Sequence, residues 1–236
     1  MPYRTTRWSL VARASQKDDD GRLALTELLE AYWPPVYAFF RRACGDAHEA
    51  EDLTQGLFLA LIEREQFVTA DPERGRFRAW LLACARHHLA NHRNAQGAHK
   101  RGGGRKLVSL DAEGEERRLR DEPVDAGERP EQAFARRWVQ TVIERTLDEL
   151  RREFEQRGRA RVFDAARPWL YDDRDPGPMR AAARAIGTSE GAFKVAVHRL
   201  RQRFHELLRA QIEHTIDDQR HVQDELAHLR AVLASG

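Results

Sequence analysis

Apolar residues recur along this chain at the three-to-four-residue spacing of helices, and that pattern predicts helices throughout. Thr6 to Ala14 reads as a short amphipathic helix with Trp8, Leu10 and Val11 on its apolar side. After the break at Asp18-Asp19-Asp20-Gly21 comes a wide apolar face: Leu25, Leu28, Leu29, Tyr32, Trp33, Val36, Phe39 and Phe40. Pro34-Pro35 interrupts it, which predicts a kink or a restart. Asp46 opens another helix with Leu53, Leu57, Phe58 and Leu61 on one side. Its first turns hold Asp46, Glu49, Glu51 and Asp52, where carboxylates suit the positive end of the helix dipole. Asp71-Pro72-Glu73-Arg74-Gly75 is a turn signal. Phe77 to Asn94 then reads as a helix with Phe77, Trp80, Leu81, Cys84 and Leu89 available for a core. Residues 1–100 are expected to form one domain.

Gly102-Gly103-Gly104 ends this pattern. Residues 101–130 are rich in charge and poor in large apolar side chains, the composition of a flexible linker. A second helical domain is expected over 131–215. It begins with a long helix marked by Phe134, Trp138, Val142, Ile143, Leu147 and Leu150, and continues with Val162, Phe163, Trp169 and Leu170. Val222, Leu226, Leu229 and Val232 recur at helical spacing in the tail, so 216–236 is expected to be an extra amphipathic helix. Packing on the second domain is its default reading, and binding a regulator is the alternative.

Composition adds less than the order of charges does. The 236 residues hold 40 Lys and Arg against 38 Asp and Glu, so the net charge of +2 is a weak signal. The basic residues are grouped, however. Arg74, Arg76, Arg78, Arg86, Arg93, Lys100 and Arg101 form one block, and Arg180 to Arg209 lie in another. Between them, Asp111 to Glu131 is acid-rich. Two basic blocks around an acidic connector suggest two contact surfaces for a polyanion. Cys44 and Cys84 have no CxxC partner and read as small core residues in a reducing compartment. Neither a leader nor a membrane-spanning run is visible, so the chain is expected in the cytoplasm, away from membranes.

The most informative stretch is 179–209, MRAAARAIGTSEGAFKVAVHRLRQRFHELLR. It reads as a short Ala-rich helix ending at Gly187, with Thr188 and Ser189 available to cap a following helix. That helix puts Phe193, Val197, Leu200, Phe204 and Leu207 or Leu208 on one stripe. Glu190, Lys194, His198, Arg201 and Arg209 fall on the other side. Small Ala182 and Ala183 permit close helix packing. The unit is a helix-turn-helix, whose second helix can enter a major groove with its N-terminal residues toward base edges. Lys and Arg can donate to guanine or phosphate, and Glu190 can accept from cytosine.

Three stretches together resemble one family. AEDLTQGLF (50–58), FVTADPERGRFRAWLLACARHHLANHRN (67–94) and TSEGAFKVAVHRLRQRFHELL (188–208) resemble domains two and four of extracytoplasmic-function sigma factors of the sigma-seventy superfamily, in order and in spacing. The resemblance implies an all-α fold of two helical domains. It implies binding of core RNA polymerase β′ clamp helices through Glu49, Glu51, Asp52 and Gln55. It further implies that Arg74, Arg78, Trp80, Asn91 and Arg93 hold the melted −10 element, since unstacked bases bind by stacking and phosphates by charge. Domain four would meet the β flap and read the −35 element through Ser189, Glu190, Lys194, His198, Arg199 and Arg201. The linker would thread the polymerase cleft. No cofactor, metal or catalytic residue follows from it; the chain is expected to initiate transcription without chemistry of its own.

There are departures. Gly56 stands where the family commonly has Glu, and Thr54 where it has a branched aliphatic. A helical glycine costs roughly 1 kcal/mol relative to alanine. Phosphorylation of Thr54 by a Ser/Thr kinase is one way to restore negative charge there; a plain surface or half-buried threonine is the simpler reading. Val195 and Ala196 replace the more polar pair usual in the recognition helix. An anti-sigma regulator is a further partner the family brings. Two other readings compete: a one-component helix-turn-helix regulator, and a metal-dependent helical enzyme built on His88 and His92. No carboxylate or cysteine set at ligand spacing accompanies those histidines.

Overall fold

The computed structural model describes residues 7–14, 16, 18–63, 77–96, 112–121, 127–170 and 178–213. Among the described residues all regular structure is helical. They divide into two compact units, one drawn from Met1–Thr141 and Ile212–Gly236, the other Val142–Gln211. The turn expected at Asp71–Gly75 and the helix expected over 216–236 lie outside the described residues.

In the first unit, α1 (Arg7–Ala14) buries Leu10 and Val11. Helix α2 (Asp19–Cys44) starts at Asp18, whose carboxylate accepts from the Gly21 amide at 2.8 Å, and ends at Gly45 in the left-handed conformation. Gly21 is required by close approach, because a Cβ there would lie 2.2 Å from the Gln16 carbonyl oxygen. No restart occurs at Pro34-Pro35: one helix runs through both prolines. An internal proline costs about 3 kcal/mol. Here Tyr32, Trp33, Pro35, Val36 and Tyr37 are all buried around the site. Each large side chain so buried contributes about 1.5–3 kcal/mol, enough to offset the lost hydrogen bonds.

Helix α3 (Ala47–Glu63) buries Leu53, Leu57, Phe58 and Leu61, and α4 (Phe77–Gln96) buries Phe77, Leu81, Ala85 and Leu89. Phe58 stacks on Trp33 with centroids 5.9 Å apart, and Phe77 meets Tyr32 edge-on at 5.0 Å. Two prolines therefore sit where α2 makes its aromatic contacts to both neighbouring helices.

The stretch expected to be a flexible linker contains α5 (Ala112–Asp121). Its Glu113, Glu115 and Glu116 lie toward the N-terminus and Arg117, Arg118 and Arg120 toward the C-terminus, the order that complements a helix dipole. It has no apolar stripe; two buried carboxylates hold it instead. Glu115 accepts from Nε and Nη2 of Arg137 at 2.8 Å each, with Arg137 1% exposed. Glu116 accepts from the Tyr37 hydroxyl at 2.9 Å and from Arg41 at 2.8 and 3.0 Å. Adjacent helical positions point about 100° apart, so the two acids reach different helices: Glu116 ties α5 to α2, and Glu115 ties it to α6 (Pro130–Gln156). Burial and the neighbouring Glu116 push the Tyr37 hydroxyl well above the usual tyrosine range, so it is a permanent donor in this network.

The first unit therefore extends past the boundary expected at 130–131, taking α6 as far as Thr141. The rest of α6 belongs to the second unit, with α7 (Ala160–Ala166), a 3-10 turn at Arg167–Trp169, α8 (Met179–Ala185) and α9 (Glu190–Glu213) as far as Gln211. Phe163, Trp169, Phe193, Val197, Leu200 and Phe204 are central to its core. Phe193 meets Trp169 edge-on at 5.3 Å.

Candidate polymerase and nucleic-acid interfaces

The acidic helix α3 is capped by Asp46, whose carboxylate accepts from the Glu49 amide at 2.8 Å. Of the four residues expected to contact polymerase, Asp52 is the exposed one. Glu51 and Gln55 are half-buried and joined through the Gln55 amide, which donates to Glu51 at 2.9 Å. Glu49 faces His92 of α4 at 3.2 Å. The acid patch is thus partly held by its own neighbours, with Asp52 the most available.

Thr54 is fully buried, and its hydroxyl donates to the Ala50 carbonyl at 2.7 Å. Adding a phosphate there would require opening the helix from its core. Gly56 has a physical reason in the fold. A Cβ there would lie 3.3 Å from His88 Nε2 of α4, tighter than an ordinary contact. The glycine lets this imidazole close against α3. Of the histidine pair weighed as a zinc site, His88 lies against Gly56 and His92 faces Glu49, both on α3. Among the described residues no group of three metal-ligating side chains comes together.

On α4 the expected −10 residues have different surroundings. Asn91 and Arg93 are exposed, and Arg93 also donates to the Ala43 carbonyl at 3.1 Å. Trp80 is half-buried beside Phe77, with centroids 5.3 Å apart. Arg78 lies with its guanidinium 4.6 Å from the centroid of buried Trp138. A cation over an aromatic face is held there by roughly 0.5–2 kcal/mol depending on burial, so the half-buried Arg78 serves packing in this conformation. Arg86, which the sequence reading left among the general basic block, pairs with Glu131 at 3.4 Å. Arg74 lies outside the described residues.

In the second unit, α8 ends at Ile186-Gly187. Gly187 has φ +74°, and the Thr188 amide donates back to the Ala183 carbonyl at 2.9 Å. Ser189 caps α9 by accepting from the Ala192 amide at 3.2 Å, so its hydroxyl is occupied at the turn. Glu190 and Lys194 pair at 2.8 Å on the outer face, and this bond holds the Glu190 carboxyl below the usual carboxylate range. His198 and Arg199 are exposed. Arg201 is turned inward instead, its Nε donating to the Trp169 carbonyl at 2.7 Å. Exposed Arg180 and Arg184 on α8, which the sequence reading did not single out, add to the same cationic character. They fall in the basic block of the sequence, but only their exposure distinguishes them from Arg201.

Residues 28–99 match the family model described as Sigma-70 region 2, which covers α2 from Leu28, α3 and α4. This supports a place in the sigma-70 superfamily and a role in promoter-specific transcription. No curated protein and no solved structure matches the chain. No helix among the described residues is long and apolar enough to cross a membrane.

Proposed function

We propose that the protein is a sigma factor of the extracytoplasmic-function type. It binds core RNA polymerase, brings it to a subset of promoters and helps melt them. The observation that carries this reading is the Sigma-70 region 2 match over residues 28–99, which coincides with the helices bearing the acidic α3 and the basic, aromatic α4. Asp52 and Glu51 on α3 meet the β′ clamp helices. Trp80, Asn91 and Arg93 on α4 engage the non-template strand of the −10 element, by stacking and phosphate contact. The glycine turn and the cationic outer face of α9 suit reading of duplex −35 DNA by Lys194, His198 and Arg199. The protein performs no chemistry in this role; its work is selective binding.

The test is to mix purified full-length chain with core RNA polymerase and follow run-off transcription from a genomic promoter library. Stable binding with new, specific transcripts is expected. A chain that binds duplex DNA but not core polymerase would instead be a one-component regulator, and the proposal would be abandoned.

A further inference from the structure

We propose that Val195 is a base-reading residue whose side chain contacts the C5 methyl group of a thymine in the major groove. This rests on reading α8 and α9 as the duplex-reading part of the protein. The inward stripe of α9 is Phe193, Val197 and Leu200, at most 3% exposed. Val195 stands two residues, about 200° of helix, beyond Phe193 and so points outward. It is 50% exposed; Leu23, in the first unit, is the other large apolar side chain left exposed among the described residues. A single exposed aliphatic residue is ordinary in itself. The surroundings of this one are not.

Exposed Lys194, paired with Glu190 at 2.8 Å, precedes it, exposed Arg199 follows one turn later, and exposed Arg180 and Arg184 stand on α8. Such a surface complements a polyanion and not an apolar protein groove. Cations of this kind hold a helix against phosphates, while base edges are met by the residues between them. Valine can neither donate nor accept a hydrogen bond. Among the groups displayed in the major groove, the thymine methyl is the apolar one. One turn before Val195, Gly191 has open space where a Cβ would project, so no side chain holds the helix away from the groove there. Because Val195 is outside the core, its replacement tests recognition and leaves folding intact.

The experiment selects duplexes from a random-sequence pool with full-length chain bound to core RNA polymerase, and with the chain alone. Each thymine of the selected sequence is then replaced by deoxyuridine, which lacks only the methyl group. At one position outside the melted segment, the replacement is expected to weaken binding about fourfold, the effect of one buried methyl-sized group. Val195→Ser, which puts a polar hydroxyl in place of the apolar side chain, should bind the thymine and uracil duplexes equally at that position. Dependence on the methyl retained in Val195→Ser, or no such position for the unaltered chain, overturns the inference while polymerase-directed transcription leaves the sigma reading standing. A methyl dependence that Val195→Ser abolishes, in a chain that does not bind polymerase, would uphold the inference and sink the sigma reading.

Discussion

Replacing Glu115 by alanine removes one partner of a fully buried, bidentate ion pair. Arg137 is 1% and Glu115 3% exposed, with both hydrogen bonds at 2.8 Å. Water cannot reach the stranded guanidinium. The cost is therefore set by an uncompensated buried charge and not by the modest worth of a surface pair, about 3–5 kcal/mol. At roughly 2–4 °C per kcal/mol for a chain of this length, thermal unfolding of the first unit should fall by roughly 6–20 °C. Hydrogen exchange should show the amides of α5 losing protection first, since Glu116 alone would then fasten this helix to α2. The double variant Glu115→Leu with Arg137→Met leaves no charge behind and should recover most of the loss. If Glu115→Ala melts with the unaltered protein and α5 exchanges freely in both, the helix is not docked in solution, and the account of the 112–121 segment is wrong.

Three further outcomes follow from the second unit. Gly187→Ala places a Cβ on a residue at φ +74° and should destabilise this unit by about 1–2 kcal/mol in urea unfolding, whereas an unchanged midpoint would contradict the left-handed turn. Arg199→Ala should lower affinity for all duplexes and reduce the salt dependence by about one counterion, while Arg201→Ala, which loses the bond to the Trp169 carbonyl, should reduce thermal stability and leave the salt slope alone. The hydrogen bond from Arg203 holds the Glu153 carboxyl below its ordinary value of 4.5. With the folded value depressed, this pair's contribution to stability is complete above about pH 4.5 and is lost as pH falls through the lower folded value, so Glu153→Gln should flatten the acid limb of a stability-against-pH curve.

Much of the fold could be read from periodicity alone. The apolar spacing predicts α2, α3, α4, α6 and α9, because each buries a continuous stripe that the hydrophobic effect places without reference to a partner. The turn at Gly187 and the cap at Ser189 were legible for a similar reason: they are local chemistry, a glycine able to take positive φ and a hydroxyl within reach of a free amide. Composition also marked which stretches were basic.

What composition could not decide was which charges face water. Arg78, Arg137 and Arg201 look alike along the chain, as does Arg199. In the folded protein the first lies over Trp138, the second is sealed against Glu115, the third holds a backbone carbonyl, and the fourth is exposed. The same limit hid α5, whose charged residues suggested a linker until their partners on α2 and α6 came within reach. It also hid the reason for Gly56, which lies in His88 on another helix. Apolar burial follows a side chain's own solvation and is written into the sequence position by position. An ion pair or a close approach is a property of two residues far apart in the chain, and only the tertiary structure brings them together.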